Sequence, residues 1–489
     1  VKIYPVLRFG TSSKYVITFL IPLMLCASKA SATDYISIQQ SIQNSESSID
    51  ALETDHGRYD EQLLEPLEQL AKIQLEASRF EDAAQTIDRA IQIARISHGL
   101  YTSAQYPLLQ LEIDISRSRG DWEDTEEQMA HFVWLVASRF DGDRIKQLDT
   151  LNWLANKHLQ CALETTDVNR ATYLIKSTQI NEYAVQLAQA TRHTQSPVYA
   201  DLLYGLSQKY YVETRGVLGD KASSYKLRVL DPYVRVVEEK ASALERRYAA
   251  GLDKLVMLRD SIAVAPTPSA EALGMAEIYI ADWQLAFNNS RDEAGQYTKA
   301  LGLLRNAGIA EAQLERFFAH PVVIPRQEFT LNFAEALAAV ENASGPALVT
   351  VETMVANASA TAATWQLSIR EDSDRLPGVV SELSVAQLGT DLTNNWNLLT
   401  LSLEFDPAIN SRFRQRGYSM SSKAIPSAIR VASSSKVSEQ DLQAILTRIK
   451  SLPFRPALRQ GVPIPATITV NYVFRENGET PLEQMLTLR

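Results

Sequence analysis

The stretch Glu65–Ala94, EPLEQLAKIQLEASRFEDAAQTIDRAIQIA, decides how this chain is read. Leu67, Leu70 and Ala71 recur at helical spacing, and Ser78-Arg79-Phe80 interrupts the run. From Phe80 the spacing resumes through Ala83, Ile87, Ala90 and Ile91. Apolar residues three and four apart lie on one face of a helix, so each half reads as an amphipathic helix and the interruption as a turn.

The pattern then returns. In SRSRGDWEDTEEQMAHFVWL, Trp122 stands where Phe80 stood, Gly120 takes the turn, and Met129 and Phe132 lie on the second helix. After a short insertion, NWLANKHLQCAL and DVNRATYLIKSTQINEYAVQLA give a third pair. These units resemble the tetratricopeptide repeat, in which two antiparallel helices pack small residues face to face. Ala83 and Ala90 suit that close approach. Two long amphipathic helices follow, SPVYADLLYGLSQKYYVETR and DPYVRVVEEKASALERRYAAGLDKLVMLRDSI, before a break at Pro266–Pro268. A last helix pair begins at Ala270, its second helix opened by Asp292-Glu293-Ala294. Residues 33–320 are therefore expected to form one helical-repeat solenoid, each unit burying its apolar face only against its neighbours.

Ahead of this array, Lys2, Arg8 and Lys14 precede the apolar run Tyr15–Ser28, and Ala30-Ser31-Ala32 supplies small residues for cleavage. Residues 1–32 thus have the layout of a secretory signal peptide, with an uncleaved anchor as the rival reading. The run is shorter than the roughly 20 residues a membrane span needs. Cys26 lies inside it, which leaves Cys161 alone in the body and excludes an internal disulfide there.

Behind the array, residues 321–395 read as a transition region with extra strands at ALVTVETMV and TWQLSIRE. Residues 396–489 form a sharper pattern. WNLLTLSLEF and AIRVA alternate as strands, Ser438 caps a helix running to Lys450, and ATITVNYVF (466–474) is a third strand. Between helix and last strand lies SLPFRPALRQGVPIP. Here Phe454 is an apolar plug, Pro456 ends the helical pattern and Gly461 permits a tight turn. Arg455 reads as a structural hydrogen-bond donor in preference to a ligand-binding residue.

The run strand, Ser433-Ser434, helix, Phe454-Arg455-Pro456-Ala457, Gly461-x-Pro463, strand resembles the C-terminal domain of TonB-type energy transducers. The resemblance implies a small α+β domain, a sheet with a helix packed on it, after the solenoid. It also implies that an extended peptide from an outer-membrane transporter adds to a sheet edge. The last strand, with Ile468, Val470 and Tyr472 on one face, is the candidate edge; a fully paired or self-dimerising strand is the alternative. The chain departs from that family in lacking a membrane-embedded His in residues 15–28 and a Pro-rich spacer.

The formal net charge is −10, and the four positive charges of residues 1–32 leave −14 on the remainder. An acidic body repels phosphate backbones, which weighs against nucleic acid. Phosphate-loop, dinucleotide, serine-hydrolase and zincin motifs are all absent from the sequence. The paired acids Glu126-Glu127 and Glu238-Glu239 read as solvated helix faces, and Cys161 as a small core residue. Trp122, Trp134, Tyr204, Tyr210, Tyr211 and Trp283 either line a groove or fill the core, with core packing favoured. The expectation is a non-catalytic periplasmic or envelope-associated interaction scaffold, without metal or cofactor, whose partners are envelope proteins. An inner-membrane-anchored TonB-type transducer and an enzyme of unknown type are the other two classes.

Overall fold

The computed structural model describes residues 17–139, 142–165, 169–231, 236–287, 293–343, 365–371, 379–383, 387, 397–407, 413–415, 418–420, 425–434 and 437–474. The expected signal segment lies outside them, apart from backbone that continues into the first helix. Among the described residues, no helix is long and apolar enough to cross a membrane. The chain divides into two compact units, Val1–Asp143 and Arg144–Arg489. That division falls between the second and third expected repeats, inside the stretch read as a single array.

The first unit holds α1 (Ile17–His56), α2 (Leu64–Glu76), α3 (Phe80–His98), α4 (Tyr106–Arg119) and α5 (Trp122–Ser138). Each packs on the next. Only three residues separate α2 from α3, with Ser78 in the left-handed region at φ 57°, so this contact is an antiparallel hairpin. Its seam is built from the residues the sequence placed there: Leu67, Leu70 and Ala71 face Ala83, Ile87, Ala90 and Ile91, all buried. At Gly120 the backbone is again left-handed (φ 77°), and the Asp121 carboxylate accepts a hydrogen bond from the Asp124 N–H to start α5.

The second unit begins with α6 (Arg144–Glu164), α7 (Arg170–Ala190), α8 (Pro197–Leu218) and α9 (Lys221–Arg228). Residues 231–239, expected as the start of a long helix, instead carry a small antiparallel pair, β1 (Val229–Asp231) and β2 (Val236–Val237). Three Val residues, Val234, Val236 and Val237, and Pro232 bias this piece against helix. Then follow α10 (Lys240–Ala263), α11 (Ala270–Ala286), α12 (Glu293–Asn306) and α13 (Glu311–Phe318). The interior is tight where α10 meets α11: a Cβ on Gly251 would sit 2.1 Å from the Trp283 ring.

Past the helices come β3 (Val322–Val323), α14 (Phe333–Ala343), β4 (Gln366–Glu371) and β5 (Val380–Glu382). Helix α14 was not expected. TWQLSIRE contains β4 as read, whereas ALVTVETMV lies outside the described residues. The rest is β6 (Asn397–Phe405), β7 (Phe413–Gln415), β8 (Tyr418–Met420), β9 (Ala428–Ser434) and α15 (Glu439–Ile449). Short strands β10 (Phe454–Arg455), β11 (Leu458–Arg459) and β12 (Val462–Pro463) lead to β13 (Ala466–Phe474).

One five-stranded sheet has the order β5-β4-β13-β6-β9. Strand β13 runs antiparallel to β6 and parallel to β4. Leu399, Leu401, Leu403, Ile468, Val470 and Tyr472 share one buried face, against which α15 lays Ile445 and Ile449. The alternation of period two against 3.6 makes this layer legible residue by residue. On the opposite face Asn471 is held by Thr400 (3.3 Å) and Ser368 (3.4 Å).

Candidate functional site

The structure moves the candidate edge. Ile468, Val470 and Tyr472 lie on β13, which is paired on both sides and so is not an edge. Their alternation marked a buried face, as read, but a face does not say which strands lie beside it. Strand β4, about a hundred residues upstream, occupies the side expected to be open.

Among the described residues, the two ends of the sheet are β5 and β9. The β5 end is held by side chains: Gln327 donates to the Ser381 hydroxyl (3.0 Å) and Arg326 pairs with Glu382 (3.2 Å). The β9 end differs. Among the described residues β9 pairs with β6 only. Ile429 and Val431 stand opposite Leu403 and Leu401, on the face that the core occupies. Yet Val431 is 43% exposed. A strand end with an uncovered β-branched residue on its core face can accept a further strand.

The motif residues between α15 and β13 tie the sheet to the helices. Phe454 is buried and meets Phe405 edge-on at 5.2 Å. Phe454 and Arg455 form β10, which pairs with β3, the strand that follows α13. Ala457 is fully buried. Pro456 is buried too, and Pro463 pairs with Leu458 across β11 and β12. Gly461 has φ +84°, as the expected turn requires, and a Cβ there would lie 2.7 Å from Thr298 Oγ1 on α12. The glycine therefore serves a close approach as well as a turn. The expected domain 396–489 lies within the compact unit Arg144–Arg489.

Charged groups carry that union. Arg455 is 1% exposed and donates to Asp282 on α11 at 3.3 Å; Asp282 also accepts from the Tyr297 hydroxyl at 2.7 Å. Burial pushes the Asp282 carboxyl above the usual range, against the pull of Arg455. Arg215 on α8 donates to the Ser451 carbonyl at 2.8 Å. Glu382, paired with Arg326, is likewise raised by burial. Sequence reading missed all these partners, because pairs such as Arg455 and Asp282 are 173 residues apart. Arg455 donates to Asp282 across that junction.

Of the aromatic residues, Tyr204, Tyr210, Tyr211 and Trp283 are buried, and Trp122 is half-buried. Trp134 departs from core packing. It is 41% exposed, lies edge-on to Tyr101 at 5.6 Å, and carries Arg139 over its ring at 5.7 Å. Cys161 is buried, as expected for a core thiol. Among the described residues, no group of three His, Cys, Asp or Glu side chains is placed to hold a metal.

No family model matches the chain. No curated protein matches it. Among solved structures it is similar to BtubC (BKLC) from P. vanneervenii, at 14% identity and a TM-score of 0.32, over 60% of this chain and 97% of that one. At that level the likeness carries no argument about fold or function.

Proposed function

We propose that this protein is a non-catalytic scaffold of the cell envelope that binds protein partners. In this reading the helical hairpins are tetratricopeptide-like and present a surface, while a TonB-like sheet accepts an extended segment. The observation that carries it is that, among the described residues, β9 is paired on one side only. Strand addition needs an open edge and main-chain hydrogen bonds more than particular side chains. Val431 would be covered by the added strand, and Arg430 on the other face is already neutralised by Glu404 at 3.0 Å. The layout of residues 1–32 supports export to the periplasm.

Capture from an envelope extract with the full-length chain tests this. Wild type should retain a partner that Val431→Lys loses, because a charge on an edge strand disfavours pairing. Since Val431 is on the surface, the variant should melt within a few degrees of wild type. Equal capture by both proteins would remove β9 from the binding site. Turnover by the purified chain in an activity screen would overturn the non-catalytic reading. The mass of the protein isolated from cells separates scaffold from transducer: an N-terminus near Thr33 supports the first and a retained leading segment the second.

A further inference from the structure

Arg455 leaves much of its donor set unused. Its Nη1 donates to Asp282, and its face lies over the Phe317 ring at 4.6 Å and the Phe318 ring at 5.2 Å. Nε and Nη2 are buried and have no hydrogen-bond partner. Those two nitrogens form one edge of the guanidinium, the edge that takes a carboxylate through two parallel N–H···O bonds. Arg326 adds a third donor. Its Nη2 meets Glu382, while its Nη1 is buried without a partner. Arg326 is 8% exposed, so both side chains are more than nine-tenths buried. Both line one cavity, whose apolar walls include Met275, Ile278, Ala336 and Val340. Buried donors without partners are costly, and here three sit on the two arginines of a single cavity.

We infer that this cavity is a binding site for a single carboxylate group, held side-on by Arg455 with Arg326 as the third donor. The chemistry follows from four features. Among the residues lining the cavity the unused buried groups are all donors, which selects an acceptor-only ligand. The planar fork matches a carboxylate in shape. The cavity measures about 20 Å³, so only a small head group enters. Each guanidinium already faces one carboxylate, and Glu328 also lines the cavity, so a dianion such as a phosphate monoester is disfavoured. The same head group is offered by the free C-terminus of a peptide and by an aliphatic carboxylic acid. Neither source depends on strand addition at β9.

Calorimetric titration of the full-length chain tests the site and separates the sources. The probes are hexanoate against hexan-1-ol, and a leucine-terminated hexapeptide as free acid against its C-terminal amide. The charged member of at least one pair should bind tenfold or more tightly than its neutral counterpart. Binding of hexanoate alone identifies an aliphatic acid; binding of the peptide acid alone identifies a chain terminus. Arg455→Lys keeps the charge but removes the fork, and Arg326→Gln removes the third donor. Ala339→Leu adds bulk to the cavity lining while leaving both arginines in place. Each should weaken binding about tenfold. If Arg455→Lys does not fold, as judged by its melting transition, the other two variants decide. The inference is overturned if neither acid binds wild type, if acid and neutral probes bind equally, or if the folded variants bind like wild type.

Discussion

The two compact units use charge in opposite ways. In residues 37–143 the ion pairs lie at the surface and are mostly local: Lys72 with Glu68, Arg79 with Asp82, Arg119 with Asp121. In residues 144–489 several are buried and distant in sequence, among them Arg455 with Asp282, Arg326 with Glu382 and Arg247 with Glu213. A solvated pair one turn away adds little and can be lost without consequence elsewhere. A buried pair joining two elements makes the stability of each depend on the other. The first unit is thus stabilised by nearest neighbours, as a repeat array is. The second couples its helices to its sheet through those pairs.

The sharpest way to break this contrast is Asp282→Ala. It strands Arg455 in the interior, and removal of one partner from a buried pair costs about 3–5 kcal/mol. Urea unfolding read at the sheet and at the helices of the second unit should shift together. Lys209 offers a smaller, pH-dependent probe of the same unit. It is 2% exposed, and its ammonium donates to Asn156 Oδ1 at 2.8 Å while the side-chain oxygens of Asn152 and Asn181 are buried without partners. Burial lowers its pKa to about 7. Above that pH the unfolded chain holds a proton that the folded chain has released. The contribution of Lys209 to stability therefore rises from about pH 7 towards the ordinary lysine range, by up to roughly 1.4 kcal/mol per pH unit. Below about 7 both states are protonated and the penalty is constant. Lys209→Met should abolish this slope, measured as wild type minus variant in urea at pH 7 and pH 9. The smallest effect is expected in the first unit: Lys72→Ala, at a surface pair spaced i,i+4, should change stability by no more than about 0.5 kcal/mol.

How far the sequence could be read follows the same divide. Period and punctuation mark α2, α3 and the start of α5, because their seams are made by neighbours in the chain. Strands β6, β9 and β13 and helix α15 were equally plain, each announced by alternation, a cap or a turn. What pattern could not supply was adjacency. Nothing in Gln366–Glu371 says that β4 runs beside β13, so pattern alone leaves β13 open between an edge and a fully paired strand. Nothing around Arg455 names Asp282, and nothing in Val322-Val323 names Phe454. The helix expected from Asp231 is overridden locally, by β-branched residues and a proline within an otherwise charged, helix-favouring stretch.

The coupling of sheet and helices is tested most directly by native-state hydrogen exchange on wild type and Asp282→Ala. Amides of β6, β13, α8 and α11 should share one opening free energy in wild type and lose protection by the same amount in the variant. Loss confined to the sheet, with α8 and α11 still protected, would contradict it and restore an independent C-terminal domain.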